Sequence, residues 1–239
     1  KVAIYDYNGS AWVQAGGDID GEAAQDKSGS SVSLSSDGRR VAIGAYLNDG
    51  NGSSSGHVRI YDYNGSAWVQ VGADIDGEAA NDGSGYSVSL SSDGSRVAIG
   101  AYSNDGTNGA NSGHVRIYDY DGSAWVQVGG DIHGEAANDQ SGRAVSLSSD
   151  GTRVAIGAKD NDGANGSNSG HVRIYDYNGS AWVQVGADID GEAVNDNSGS
   201  SVSLSSDGSR VAIGAPENNG NGSSSGHVRI YDYDGSAWV

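Results

Sequence analysis

The chain has no cysteine, methionine or phenylalanine and a single proline among its 239 residues. No disulfide framework can staple it and no thiolate can hold a metal. Positive charge is scarce, with 13 Lys and Arg against 31 Asp and Glu and a net charge of −18. The basic footprint that nucleic acid requires is therefore missing, and with it any attraction to anionic membrane surfaces. An acidic excess of this size favours solubility, association with divalent cations or saline surroundings. No apolar run approaches the ~20 residues of a membrane-spanning helix, so membrane insertion is not expected. The opening KVAIYDYNG has no apolar segment of the signal-peptide kind. No stretch sustains a 3.6-residue period either, so essentially no helix is expected.

What the chain does have is repetition. The phrase VRIYDY begins at Val58, Val115, Val172 and Val228, and its variant VAIYDY at Val2, a period of 56 or 57 residues. The 45-residue copies beginning at His57 and His171 differ only at Ala80/Val194, Gly83/Asn197 and Tyr86/Ser200. The 40 glycines recur at matching turn positions, with no three-residue collagen period.

Each repeat offers four strands, A to D. Strand A, SVSLS, sets Val88 and Leu90 on one face and Ser87, Ser89 and Ser91 on the other, the two-residue period of a strand. Asp93-Gly94 supplies a hairpin turn. Strand B, RVAIGA, alternates Val97 and Ile99 with the small Ala98 and Gly100, which admit a neighbouring backbone. A Gly, Asn and Ser loop of variable length follows, as at Asn104–Gly113. Strand C is HVRIYDY, closed by Asn64-Gly65, a further hairpin signal. Strand D is AWVQVG. The polar segment Ala73–Gly85 then connects D to the next A.

Four antiparallel strands per repeat at this period describe the blades of a β-propeller, an all-β fold. A single blade cannot bury both faces, so blades stack. The alternation in A and B predicts inner strands buried on both sides, with Tyr, Trp and Arg of C and D in the wider outer part. The array divides into a half-blade at 1–27 and repeats at 28–83, 84–140, 141–197 and 198–239. Five C–D pairs face only four A–B pairs, leaving Val2–Ala15 as a spare hairpin that a second chain could complete by strand exchange.

The order Trp68–Gly72, Asp76-Gly77-Glu78-Ala79, Asp82, Ser84-Gly85, Ser87-Val88-Ser89, Arg96–Ala101 and Gly113–Tyr118 resembles the FG-GAP repeat, in its bacterial form with a Trp-x-Gln outer strand. Gly214-Ala215-Pro216 reproduces the GAP element, where other copies carry Tyr46, Tyr102 or Lys159 in place of proline. The FG element reads Ser28-Gly29, Ser84-Gly85, Ser141-Gly142 and Ser198-Gly199, so its phenylalanine is replaced throughout. The resemblance implies an integrin-α-like propeller, usually seven-bladed and extracellular or on the cell surface, used for adhesion or recognition of a protein or glycan. Such blades often hold Ca²⁺ between their first two strands, but here that place is only the short Ser-Asp-Gly turn. A non-enzymatic binding or adhesion module is the function implied. The alternatives are a self-assembling repeat that exchanges half-blades, and a carbohydrate-binding propeller.

Among residue clusters, the D–A connections are the strongest candidates for a cation such as Ca²⁺. They hold Asp18, Asp20, Glu22 and Asp26; Asp74, Asp76, Glu78 and Asp82; and Asp188, Asp190, Glu192 and Asp196. Six to eight oxygens can be gathered from such carboxylates and loop carbonyls, or the same residues can simply cap solvated turns. The third copy reads Asp131, His133, Glu135 and Asp139, and its histidine suits a hard cation poorly. The Asn-Asp-Gly loops after strand B (Asn48-Asp49-Gly50 and its copies) read first as turns. His57, His114, His171 and His227 open strand C once per repeat, too far apart to share one ion, and read as hydrogen-bonding residues. Trp12, Trp68, Trp125 and Trp182 could form sugar platforms, although one Trp per outer strand also suits inter-blade packing. The Asn-Gly-Ser sites at Asn8, Asn51, Asn64, Asn165, Asn178 and Asn221 are turns unless glycosylated. No serine lies in a nucleophile elbow, and acid–base candidates recur in every repeat, whereas catalysis calls for one asymmetric constellation.

Overall fold

The computed structural model describes residues 1–239 and contains strands but no helix. A hairpin of β1 (Tyr5–Tyr7) and β2 (Trp12–Gln14) comes first. Three sheets of one design follow. In the first, β3 (Ser31–Leu34), β4 (Arg40–Ala45), β5 (His57–Tyr63) and β6 (Trp68–Gln70) pair in sequence, and β7 (Ile75–Asp76) returns to the start of β5. The second comprises β8 (Ser84–Leu90), β9 (Arg96–Ala101), β10 (His114–Tyr120), β11 (Trp125–Gln127) and β12 (Ile132–His133). The third comprises β13 (Ala144–Leu147), β14 (Arg153–Ala158), β15 (His171–Tyr177), β16 (Trp182–Gln184) and β17 (Ile189–Asp190). The last is β18 (Ser201–Leu204), β19 (Arg210–Ala215) and β20 (His227–Asp232), to which Trp238 adds a bridge at Tyr233. The four predicted strands are thus the blades' A to D, in an antiparallel meander.

Two local expectations are corrected. The D–A connection is not wholly a loop: after the bulge at Gly72–Asp74 it resumes pairing, Ile75 with Val58 and Asp76 with His57. The outer edge of each blade is therefore an interrupted strand. The strands buried on both sides are B and C rather than A and B. RVAIGA in β4, β9 and β14 and the first five residues of β5, β10 and β15 are almost wholly buried, whereas strand A is largely half-exposed.

The core lies between sheets. Ala42, Val58, Ile60 and Ile75 of one blade meet Val88, Leu90, Val97, Ile99 and Tyr118 of the next. Strand A stays narrow because its serines face the next blade's innermost strand. Ser33, Ser89 and Ser146 Oγ accept the backbone N–H groups of Leu90, Leu147 and Leu204 at 2.9–3.0 Å. A larger side chain would prevent that approach. Strand B is held still closer. A Cβ on Gly44 would lie 2.0 Å from the Gly85 carbonyl oxygen, and Gly85 itself turns with φ +83°. The conserved spacing of Ser-Gly and Gly-Ala within the repeat is thus one backbone contact, made across the seam. Ser84, where an FG element would carry phenylalanine, is completely buried with its Cβ against the Gly77 position, so a ring has no room there.

Arginines tie the seams. Arg96 grips Asp119 on its own sheet with two bonds of 2.5 and 2.7 Å, donates to the Gly151 carbonyl of the next blade at 2.9 Å, and stacks over Tyr177 and Trp182. Arg40 and Arg153 repeat the arrangement. Arg59, Arg116 and Arg173 reach the other way, donating to the carbonyls of Asp20, Asp76 and His133 at 2.6–2.7 Å.

Candidate functional site

The predicted acidic quartets do not assemble as quartets. Asp74 and Asp188 accept hydrogen bonds from Gln70 and Gln184 at 2.6 Å, and Asp18 is held by Lys1 and Gln14. Asp20 and Asp76 contribute their main-chain carbonyls to arginines of the following blade; Asp190 is partly buried beside Asp188, and both effects push its carboxyl upward. Asp26, Asp82 and Asp196 are buried and cap the N–H groups of Ala23, Ala79 and Ala193 at 2.9–3.0 Å. Asn48 and Asn218 add a bond to Asp26 and Asp196 from the loop after strand B. That loop is turn chemistry, with Asp49 accepting from Ser54 N–H and Asn48 from Gly50 N–H.

The glutamates go elsewhere. Glu22, Glu78 and Glu135 cross into the next blade and meet a histidine and an arginine there. Glu22 Oε2 lies 3.8 Å from His57 Nδ1, and Asp74 Oδ2 lies 3.6 Å from the same nitrogen. Glu78, His114 and Asp131 (3.8 and 3.9 Å) and Glu135, His171 and Asp188 (3.7 and 3.8 Å) repeat the cluster. Glu192 meets His227 at 3.5 Å. Arg59, Arg116, Arg173 and Arg229 stand beside the glutamates at 3.5–3.6 Å. His57, His114 and His171 are 1% exposed, while the same residue in the last blade, His227, is half-buried. Burial, with the neighbouring arginine, pulls His114 and His171 down to about 4, so both are neutral near pH 7. The seam thus joins one acid from each of two quartets through a histidine expected to act alone.

The tryptophans belong to the seams as well. Trp68, Trp125 and Trp182 donate Nε1–H to the carbonyls of Ala15, Val71 and Val128 in the preceding unit at 2.8–3.0 Å. Each stacks against a tyrosine of its own sheet, and Arg40 and Arg96 cover Trp125 and Trp182. Trp12 has no such seat and is 69% exposed, with only Tyr7 beside it.

A further group went unnoticed in the sequence. The copies disagree at Lys27/Gly83/Gln140/Asn197, Ser30/Tyr86/Arg143/Ser200, Tyr46/Tyr102/Lys159/Pro216 and Leu47/Ser103/Asp160/Glu217, as well as in the A–B turn at Arg39/Ser95/Thr152/Ser209; the first four of these positions form one group. They converge in space. Tyr46 stacks edge-on against Tyr86 at 5.3 Å, Tyr86 against Tyr102 at 4.4 Å, and the Arg143 guanidinium lies 4.3 Å from the Tyr86 ring centre. Asn197 in turn donates to Asp160, which pairs with Lys159. The four ring and guanidinium groups are half-exposed. The signal was present in the sequence as disagreement between otherwise near-identical copies.

A family model described as the FG-GAP repeat matches residues 19–61. No curated protein matches the chain by sequence. Among solved structures, that of a candidate 6-phosphogluconolactonase from Bacteroides uniformis is similar over 86% of this chain at 14% identity, with a TM-score of 0.55. This chain spans 50% of that one's length, and at such identity the likeness concerns the fold, a β-propeller. The matched segment Ile19–Tyr61 recurs with few changes from Ile75, Ile132 and Ile189. Residues 19–61 are accordingly similar to the FG-GAP repeat, and the chain's repeats form the blades of a β-propeller.

Proposed function

We propose that the chain is a non-enzymatic binding module acting outside the cell, with a protein or glycan ligand engaged along the strip Tyr46–Tyr86–Tyr102–Arg143. One observation carries this reading: the copies are nearly invariant wherever they hold the seams together, while four of the positions at which they diverge bring their side chains together on a half-exposed face. An invariant scaffold with a divergent face is the division of labour expected of a recognition surface. Stacked rings and a guanidinium suit sugar faces or aromatic and acidic side chains. The match of residues 19–61 to the FG-GAP repeat supports the extracellular setting.

Sister repeats supply the test. Ser30 and Ser200 occupy the Tyr86 and Arg143 position, so the double variant Tyr86→Ser, Arg143→Ser keeps a residue the blade already accommodates. The labelled chain is applied to a glycan array and to a panel of immobilised secreted proteins. Binding that falls at least tenfold in the double variant supports the strip. Silence on both panels, or binding the variant leaves unchanged, overturns it. Hydrolysis of 6-phosphogluconolactone above the buffer rate would overturn the non-enzymatic reading.

A second reading, self-assembly, rests on a separate observation. Val228 and Ile230 are 67% and 63% exposed, whereas their counterparts Val58, Ile60, Val115, Ile117, Val172 and Ile174 are at most 1% exposed under the next blade. A blade of the same design is the surface that fits them, and a second copy of the chain can offer one. Sedimentation at two concentrations decides, and a strict monomer removes this reading.

A further inference from the structure

One seam differs chemically from its sisters. Between the sheets of β3–β7 and β8–β12, the position that is Asp76 in the preceding repeat and Asp190 in a later one is His133. It stands on β12, directly opposite His114 on β10. His114, Asp131 and His133 each offer a ligand atom, all within 4.8 Å of one another. The carboxylate of Glu78 approaches from the previous blade, 3.8 Å from His114 Nδ1.

Two features set this group apart from an ordinary acidic cluster. His114 is 1% exposed and its Nδ1, aimed at Asp131 and Glu78, has no hydrogen-bond partner. Nδ1 of His133 is buried without a partner too. Unpaired buried nitrogens are costly and call for an explanation. The separations are too long for hydrogen bonds. They are close to the edge of a shared coordination sphere: ligands bound to one tetrahedral zinc at ~2.0–2.1 Å lie about 3.4 Å apart. Contraction by roughly half an ångström would bring Asp131 and Glu78 each to that spacing from His114 Nδ1, and His133, within 4.8 Å of His114 and Asp131, would close by at most about 1.4 Å.

The donor set selects the ion. Two imidazoles and one or two carboxylates suit zinc, nickel or cobalt, whereas calcium takes six to eight oxygens and few nitrogens. The seams at Glu22–His57–Asp74 and Glu135–His171–Asp188 offer one imidazole each.

We propose that His114, His133 and Asp131, with Glu78 completing the set, bind one divalent transition-metal ion of the zinc type and clamp this seam. The test uses the full chain after chelator treatment and dialysis. Calorimetric titration with Zn²⁺ should show one equivalent bound, and a hundredfold excess of Ca²⁺ should not displace it. Co²⁺ in place of Zn²⁺ should produce visible absorption of nitrogen and oxygen ligation. His133→Asp installs the residue that sister repeats carry, so it should fold as the parent does by circular dichroism. It should weaken Zn²⁺ binding at least tenfold and abolish the rise in melting temperature that Zn²⁺ gives the parent. No uptake at micromolar Zn²⁺, equal binding by His133→Asp, or three equivalent sites per chain would each overturn the proposal.

Discussion

Arg96→Ala and Arg210→Ala remove the same side chain from the same place in the repeat, yet their consequences should differ. Both arginines grip a cross-strand aspartate bidentately, Asp119 and Asp232, at 2.5–2.8 Å. Only Arg96 has a further blade to hold. Its Nη1–H donates to the Gly151 carbonyl at 2.9 Å, and its guanidinium lies 4.9 Å from the Tyr177 ring centre and 5.8 Å from that of Trp182. Its side chain is 13% exposed, against 60% for Arg210. A charged hydrogen bond in such surroundings contributes about 1.5–3 kcal/mol, and stacking on the rings ~0.5–2 kcal/mol. Asp119 is exposed enough to be rehydrated once its partner is gone, so leaving it unpaired adds little. The loss expected for Arg96→Ala is therefore about 2–5 kcal/mol. Arg210→Ala should leave stability unchanged within error, since an exposed pair contributes little. Urea unfolding followed by tryptophan fluorescence is the appropriate assay, because Trp182 and its equivalents sit in the seams. Equal losses in the two variants would refute the claim that stability resides between blades.

Two further outcomes follow from the same seams. Gly100→Ala should lower the melting temperature clearly, because its Cβ would lie 2.0 Å from the Gly142 carbonyl oxygen, whereas Gly214→Ala, which meets only the Ser201 side chain, should not; equal melting temperatures would sink the backbone-contact argument. Stability should also fall as pH drops from 6.5 to about 4. His171 is held neutral by burial and by Arg173 while Glu135 and Asp188 face it, so the unfolded chain takes up its proton first and gains on the folded state throughout that window. Urea midpoints at pH 7 and 4.5 measure the slope. His171→Gln should flatten it, and an unchanged slope would show that other groups are responsible.

The strand order was legible in the sequence because it depends on local signals repeated without drift. Two-residue alternation, Asp-Gly and Asn-Gly turns and the absence of a helical period all act within a few residues. The repeat length disclosed stacking blades for the same reason. Which strands would be buried on both faces was less legible. Val97, Ile99 and the small Ala98 and Gly100 read correctly as a buried B strand. Strand A misled because its serines, polar in composition, are seated against the next blade's backbone, while Arg116 and Tyr118 on strand C look like outer residues and are buried. Long side chains can bury their stems and deliver a charge to a seam, and local patterning does not record that.

The sites separate along the same line. By itself the sequence determined that carboxylates, a histidine, two arginines and a tryptophan recur at fixed places in every blade. Only the tertiary structure decided which of them meet. Glu78 leaves its own quartet to join His114 and Asp131 of the following blade, and Asp82 turns inward to cap a loop. Nearness along the chain had suggested the opposite grouping. The physical reason is that each sheet buries its faces only against a neighbour, so contacts form across seams between residues distant in sequence. His114 and His227 occupy the same position in the repeat; one is sealed between blades and the other is half-open, and the difference lies entirely in what is packed against it.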